Sequence, residues 1–172
     1  MFIIELSLNF DKILYPNYNY VTIYDLQSSQ IIKLNIMYPP ELVGPMKEDL
    51  TSVGFNEITS PDDVESIVKT EGTTLMVVNS VCGCAAGNAR PGAKLSLDND
   101  KVPTNLATVF AGVDKEATDA ARGLMLPFPP SSPSIALFKD GQLVHMLERH
   151  HIEGATAELI SNNLKEAYNA FC

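Results

Sequence analysis

Residues 73–87 read TTLMVVNSVCGCAAG, and this stretch predicts the centre of the fold. Its first nine residues form a mostly apolar, β-branched run, which is typical of a strand buried on both faces of a sheet. The small residues that follow predict a helix from Gly83 to about Leu97. Two thiols therefore stand one residue apart where a buried strand passes into a helix, which indicates redox chemistry.

The place of Cys82 at this junction favours its ionised form. The positive end of a helix dipole stabilises a thiolate, and the thiolate is the nucleophile of thiol exchange. We expect backbone N–H groups of the first helical turn to point towards the Cys82 sulfur. A disulfide between Cys82 and Cys84 closes a very small ring, so it should be strained and easily reduced. Gly83 suits such a tight turn because it has no Cβ.

Two other interpretations of the cysteine pair stay open. Buried thiols can act as small apolar side chains, although the junction and the neighbouring glycine argue against this. A Cys-x-Cys pair can also ligate zinc or an iron–sulfur cluster, but such sites normally need four ligands. Only Cys172 and three histidines remain as further soft ligands. We therefore expect neither a metal nor another cofactor.

The chain from Pro39 onward alternates predicted helices and strands. Strands separated by helices favour parallel βαβ units, and Asp140-Gly141 predicts a final antiparallel hairpin. The predicted class is α/β: a thioredoxin-like mixed central sheet with helices on both faces and an extra N-terminal helix. The helices are predicted at 39–53, 61–69, 83–97, 114–125 and 153–171, and the strands at 55–59, 73–81, 106–111, 134–138 and 143–148.

The first 36 residues differ in composition from the rest. They contain neither Ala nor Gly, whereas both are common after Met37. The alternating stretch 20–24 predicts a strand, so residues 1–36 could form a β-prone N-terminal arm. Alternatively, Met37 is the natural start and the preceding residues come from an upstream start assignment. Residues 37–172 form the predicted thioredoxin-like domain in either case.

The thioredoxin-like plan also predicts a proline, often in cis, before the hairpin strand and facing the cysteines. Pro133 stands at that place, directly after Ser132. We therefore predict a cis bond before Pro133. In trans, this proline would only end the preceding proline-rich loop.

Charge and patterning exclude several classes of partner. Acidic side chains outnumber Lys and Arg by 21 to 12, so no basic surface is expected for nucleic acid. No apolar run approaches the roughly 18 residues of a membrane-spanning helix. The N-terminus lacks the basic segment of a secretory signal, and three cysteines do not make a disulfide scaffold. We expect a cytoplasmic protein without nucleic-acid or membrane partners.

Several segments resemble the bacilliredoxin family. They are VNSVCGCAAGNARP at 78–91, VFAGVDKEAT at 109–118, PSSPS at 130–134, Arg149-His150, IEG at 152–154 and the terminal Cys172. The resemblance extends from about Tyr38 to Cys172 and leaves residues 1–36 uncovered.

The resemblance implies a bacterial thiol–disulfide oxidoreductase that removes bacillithiol from protein mixed disulfides. Cys82 would be the attacking thiol and Cys84 the second active-site thiol. The implied partners are bacillithiolated or disulfide-bonded client proteins and a low-molecular-weight thiol. Two alternatives stay open: a disulfide isomerase or reductase without bacillithiol specificity, and a non-catalytic module that holds a partner with the loop around Pro133.

Further site residues are predicted with alternatives. Ser132 and Pro133 are predicted to bind substrate. Arg90 could bind a substrate carboxylate or act as a structural cation. Cys172 could be an accessory thiol or an inert terminal residue. His150 and the histidine after it could act as a base, although a surface role is the simpler interpretation.

Overall fold

The chain divides between Tyr38 and Pro39 into two compact units. The computed structural model describes residues 38–172 and, in the first unit, the backbone of three strands: β1 (Lys12–Ile13), β2 (Tyr20–Asp25) and β3 (Gln30–Asn35). These strands form an antiparallel sheet in the order β1-β2-β3. The strand expected at 20–24 is therefore present, and the residues of the predicted arm outside these three strands lie outside the described residues. A natural start at Met37 stays a prediction.

The second unit follows the predicted order of helices and strands. Helical backbone also covers Gly83 and Cys84 and a π-helical turn at Ala85–Ala89. The elements are α1 (Pro40–Thr51), β4 (Asn56–Glu57), α2 (Pro61–Lys69), β5 (Thr73–Asn79), α3 (Arg90–Ser96), β6 (Asn105–Phe110), α4 (Lys115–Leu124), β7 (Ser134–Lys139), β8 (Gln142–Leu147), α5 (Arg149–Ile152) and α6 (Ala157–Phe171).

Five strands form one mixed sheet in the order β4-β6-β5-β7-β8. β6 runs parallel to both β4 and β5, while β7 runs antiparallel to β5 and β8. Asp140 and Gly141 turn the final hairpin with positive φ values of 49° and 81°, as a tight hairpin turn requires. This topology confirms the predicted thioredoxin-like α/β class.

The central strand β5 supplies the core on both faces of the sheet. Leu75 and Val77 pack among α1, α3 and α6, whereas Met76 and Val78 pack among α2 and α4. Successive side chains of a strand point to opposite faces, so the apolar run serves two cores. The helices thus cover both faces, as predicted. Across the described residues, no helix has the length and apolar character needed to cross a membrane.

The helix after the cysteines contains a π-helical turn that the sequence did not predict. Pro91 has no N–H to bond the carbonyl of Gly87, and its ring would clash with that carbonyl in a regular helix. The wider turn at Ala85–Ala89 precedes Pro91, which stands in the first turn of α3. Pro91 therefore marks a change of helical pitch.

Two details of the predicted helices differ from the structure. The spacing of Leu42, Met46 and Leu50 predicts the helix that α1 forms, but Leu42 is 46% exposed and Val43 is buried in its place. The final helix was predicted to begin at Glu153, but Gly154 adopts a φ of +87° and separates α5 from α6. Thr156 then caps α6 by accepting a hydrogen bond from the N–H of Leu159.

Candidate active site

The cysteine pair lies at one end of the sheet, beside the loop that carries Pro133. Val78 near the end of β5 pairs with Ser134 at the start of β7. The segment leading to Cys82 and the segment containing Pro133 therefore leave the sheet at the same end of neighbouring strands. The bond between Ser132 and Pro133 is cis, which confirms the predicted isomer.

Cys82 and Cys84 are joined in a disulfide, with their Cα atoms 5.5 Å apart. Both cysteines are half-buried, and Gly83 between them is exposed. Helical backbone begins at Gly83, so Cys82 holds the N-cap position. Its Sγ accepts the N–H of Ala85 at 3.3 Å, in the way an N-cap oxygen accepts an N–H of the first turn.

A second donor reaches the same sulfur. Ser80 is 7% exposed, and its hydroxyl donates to Cys82 Sγ at 3.3 Å. No described residue donates a hydrogen bond to Cys84 Sγ. The surroundings of the two sulfurs therefore differ, and the groups that stabilise a thiolate are concentrated on Cys82.

Asn79 and Arg90 hold the segment before the cysteines. The Asn79 side-chain carbonyl accepts the N–H of Ser80 at 2.8 Å, and its amide donates to the Met46 carbonyl at 3.0 Å. Arg90 Nη1 donates to Asn79 Oδ1 at 3.1 Å and to the Ser80 carbonyl at 3.3 Å. The backbone between β5 and Cys82 is thus tied to α1 and α3.

Arg90 faces the protein interior. It is 5% exposed, and its Nε donates to Asp49 Oδ2 at 2.9 Å. Partial burial of Asp49 opposes its ionisation, but hydrogen bonds from Lys94 and Arg90 outweigh that effect and hold the pKa of Asp49 below its usual value. This placement favours the structural alternative for Arg90 over contact with a substrate. The sequence offered no signal for Asp49, because an acid on a helix usually faces solvent.

Cys172 is far from the disulfide along the sheet. Its Sγ accepts a hydrogen bond from the hydroxyl of Thr73, the first residue of β5. Cys82 follows the last residue of the same strand, and a seven-residue strand spans about 20 Å. Of the two alternatives for Cys172, this position suits an inert terminal residue better than an accessory thiol of the same chain.

α5 lies against residues 130–133, the loop before β7 that is called the Pro133 loop below. The sequence pattern predicts one helix at 153–171 and no separate helix at Arg149–Ile152. The backbone N–H of Arg149 donates to Ser131 Oγ at 3.3 Å, and its Nη1 donates to the Ser132 carbonyl at 3.3 Å. Asn88 of the π-helical turn donates to the carbonyls of Ile152, at 3.2 Å, and Ala155. α5 thus bridges the two segments that flank the cysteines.

One group of described residues has the composition of a metal site. Glu148, His150 and His151 each offer a ligand atom within 4.8 Å of the others. His151 Nδ1 already accepts the N–H of Glu148 at 3.1 Å, and the Glu148 carboxylate accepts the N–H of His151. These reciprocal bonds form a capping box, so the group has a structural role at the start of α5.

Comparisons with known proteins agree with the resemblance seen in the sequence. A family model described as "Disulphide isomerase" matches residues 38–172. A bacilliredoxin of Cytophaga hutchinsonii is 59% identical over 133 residues, which are 77% of this chain and 98% of that protein. A bacilliredoxin of Halalkalibacterium halodurans is 53% identical over 136 residues, which are 78% of this chain and 94% of that protein.

Among solved structures, the oxidised thioredoxin of Plasmodium falciparum is similar with a TM-score of 0.49 and 17% identity, over 67% of this chain and 98% of that chain. The relatives' names, together with the topology and the paired cysteines, support a thiol–disulfide oxidoreductase. The match to nearly the full length of these relatives shows that the chain belongs to the bacilliredoxin family.

Proposed function

We propose that this oxidoreductase removes bacillithiol, or a similar low-molecular-weight thiol, from protein mixed disulfides. The observation that carries the proposal is the capping position of Cys82, whose sulfur accepts both the Ala85 N–H and the Ser80 hydroxyl. In the reduced protein, the same two donors face the sulfur and favour its thiolate. A cytoplasmic location, where thiols are kept reduced, suits this chemistry.

The reaction proceeds by two exchanges. The Cys82 thiolate attacks the sulfur of the small thiol in the mixed disulfide, so a new S–S bond forms on Cys82 and the client leaves as a thiolate. The Cys84 thiolate then attacks Cys82, releases the small thiol as its thiolate and forms the Cys82–Cys84 disulfide. The client disulfide has been reduced and the cysteine pair oxidised. A dithiol reductant returns the pair to its reduced form.

The loop before β7 supplies a surface for the client. Ser131 and Ser132 are half-buried, and the loop adjoins the segment that carries the disulfide. Ser132 is therefore proposed to contact the mixed disulfide, and Pro133, which is buried, is proposed to position Ser132. Client proteins that carry disulfides are the partners this arrangement suits, and no cofactor takes part in either exchange.

Disulfide isomerisation is the second candidate, since the matching family model carries that description. The same Cys82 thiolate would then attack a disulfide between two client cysteines, and the client's own released thiolate would complete the exchange. A non-catalytic binding module is the third alternative, and it predicts no exchange at all.

A transfer assay separates these alternatives. A client with one thiol, carrying bacillithiol, is mixed with reduced wild-type protein, and free client thiol is followed by mass spectrometry. We expect rapid release by the wild type and none by Cys82→Ser, with Cys172→Ser as the matched control that retains release. Full release by Cys82→Ser would overturn the role of Cys82. Repair of a scrambled multi-disulfide protein without bacillithiol release would favour the isomerase.

A further inference from the structure

We propose that Arg149 determines substrate class by binding a carboxylate of the small thiol in the mixed disulfide. The inference rests on the proposed thiol-transfer function and adds that the preferred thiols are anionic. It does not require any change in the two exchange steps at Cys82 and Cys84.

The position of α5 brings Arg149 to the rim of the site. Arg149 contacts Ser131 and Ser132, the two residues before Pro133. The other end of α5 accepts a hydrogen bond from Asn88, four residues after Cys84. α5 is therefore held against both segments that flank the disulfide, which places Arg149 at the same end of the sheet as Cys82.

The guanidinium of Arg149 is held in place yet open to solvent. Its Nη1 donates to the Ser132 carbonyl at 3.3 Å, while 46% of the side chain is exposed. Its Nε contacts Glu153 Oε2 at 3.2 Å, in an exposed pair four residues apart on the chain. Such pairs contribute little free energy, so an incoming carboxylate can displace Glu153 at low cost. The planar guanidinium matches a carboxylate with two parallel hydrogen bonds.

Two other cationic side chains at this end of the sheet, Arg90 and Lys47, are largely buried and already paired with carboxylates. The Arg90 side chain is 6% exposed and bonded to Asp49. The Lys47 side chain is 15% exposed and lies between Glu57 and Asp114, at 2.6 and 2.9 Å. Within the part of the chain that the structure describes, Arg149 is the cation that combines exposure with contact to the Pro133 loop. A local cation matters here because the whole chain carries a net charge of −9, which repels anions.

A charge series of small thiols tests the inference on the full chain. One client with a single thiol is converted into three mixed disulfides, with mercaptosuccinate, mercaptoethanol or cysteamine. These thiols carry two carboxylates, no charge and one ammonium group. The client is the same in all three, so differences in kcat/KM report on the small thiol. The variants are Arg149→Gln and Arg149→Lys.

Lys69→Gln is the matched control. Lys69 also forms an exposed pair four residues apart, with Glu65 at 2.7 Å. It lies beside Gly141 in the turn between β7 and β8, at the opposite end of the sheet from the disulfide. The control therefore removes a comparable surface charge without touching the site.

We expect Arg149→Gln to lower kcat/KM for the mercaptosuccinate adduct about tenfold, the loss of one charge-assisted interaction. The mercaptoethanol adduct should change by less than about twofold, and the cysteamine adduct should react as fast or faster. Arg149→Lys should retain part of the preference, and Lys69→Gln all of it. Equal losses for all three adducts, or no loss for mercaptosuccinate, would overturn the inference. Failure of the proposed function looks different, because the wild type would then release none of the three thiols.

Discussion

The backbone N–H of Ala85 lies 3.3 Å from the sulfur of Cys82, so a cysteine side chain caps the helix that begins at Gly83. An N-cap normally uses the oxygen of Ser, Thr, Asp or Asn for this bond. With sulfur in that place, the same N–H serves helix formation in the oxidised chain and thiolate stabilisation in the reduced chain. The Ala85 N–H at the start of this helix therefore has both a structural role and a role in the proposed thiol exchange.

The Ser80 hydroxyl should promote formation of the Cys82 thiolate. Ser80→Ala removes a donor 3.3 Å from the sulfur, and a hydrogen bond to a charged group contributes roughly 1.5 kcal/mol. We expect the pH profile of Cys82 alkylation to move upward by about one pH unit. The measurement uses a background in which Cys84 and Cys172 are serine. Ser66→Ala, at an exposed position of α2, serves as the control, and superimposable profiles for the two variants would contradict the assignment.

Asp49 should stabilise the fold by neutralising the buried Arg90. Asp49→Asn leaves the guanidinium without its charged partner, and an unpaired buried charge costs about 3 kcal/mol. We expect this loss in the free energy of unfolding at neutral pH, measured with urea. A loss below about 0.5 kcal/mol, typical of an exposed position, would show that Arg90 does not depend on the pair.

The same pair predicts a dependence of stability on pH. Because the folded pKa of Asp49 is lowered, its stabilising contribution is present above its unfolded pKa, which is about 3.9. The contribution is lost as the pH falls through the folded pKa. The difference in unfolding free energy between the wild type and Asp49→Asn should therefore be constant near neutrality and shrink in acid. A difference that grows as the pH falls would contradict this sign.

Gly92 should be required where α3 meets α6. A Cβ at Gly92 would lie 2.6 Å from Ile160 Cγ2 and 3.1 Å from the carbonyl of Ala157. Gly92→Ala should therefore lower the free energy of unfolding by about 1–3 kcal/mol. Gly87→Ala is the matched control, since a Cβ there meets no atom within 4 Å and alanine favours helix by up to about 1 kcal/mol. Equal stabilities of the two variants would contradict this packing.

Cys172 should be dispensable for thiol transfer. Its sulfur contacts Thr73 at the start of β5, whereas the disulfide follows the end of that strand. Cys172→Ser should thus leave the rate of thiol release within about twofold of the wild type, because surface changes away from a site have small effects. A tenfold loss would show that Cys172 enters the reaction, for example from a second molecule.

Much of the fold could be predicted because local signals agree with one another. The run at 73–81 is apolar on both faces and becomes the central strand, and Asp140-Gly141 forms the predicted hairpin turn. Ser60 caps α2 as its sequence position suggests. Predictions failed where contacts between distant parts of the chain decide which side chains of a helix are buried. Val43 is buried in place of Leu42. The apolar pattern of the final helix places Leu159 on one face with Ile160 and Leu164, yet Leu159 is 61% exposed.

The candidate site likewise combines residues that the sequence predicts with contacts that depend on the tertiary structure. The cysteines and Pro133 could be found from the sequence because each stands at a junction between elements. The partnership of Arg90 with Asp49 joins residues 41 positions apart, and periodicity carries no information on such a contact. The contact of Arg149 with Ser132 is likewise not predictable from the sequence, because it depends on the pairing of β8 with β7.

Trapping of the small thiol on Cys84→Ser tests the central claim most directly. This variant can complete the first exchange but cannot resolve it, so the thiol should remain attached to the protein. After incubation with a bacillithiolated client, intact mass spectrometry should show one added bacillithiol, and peptide mapping should place it on Cys82. An unmodified protein, or bacillithiol found on Cys172 alone, would contradict the account.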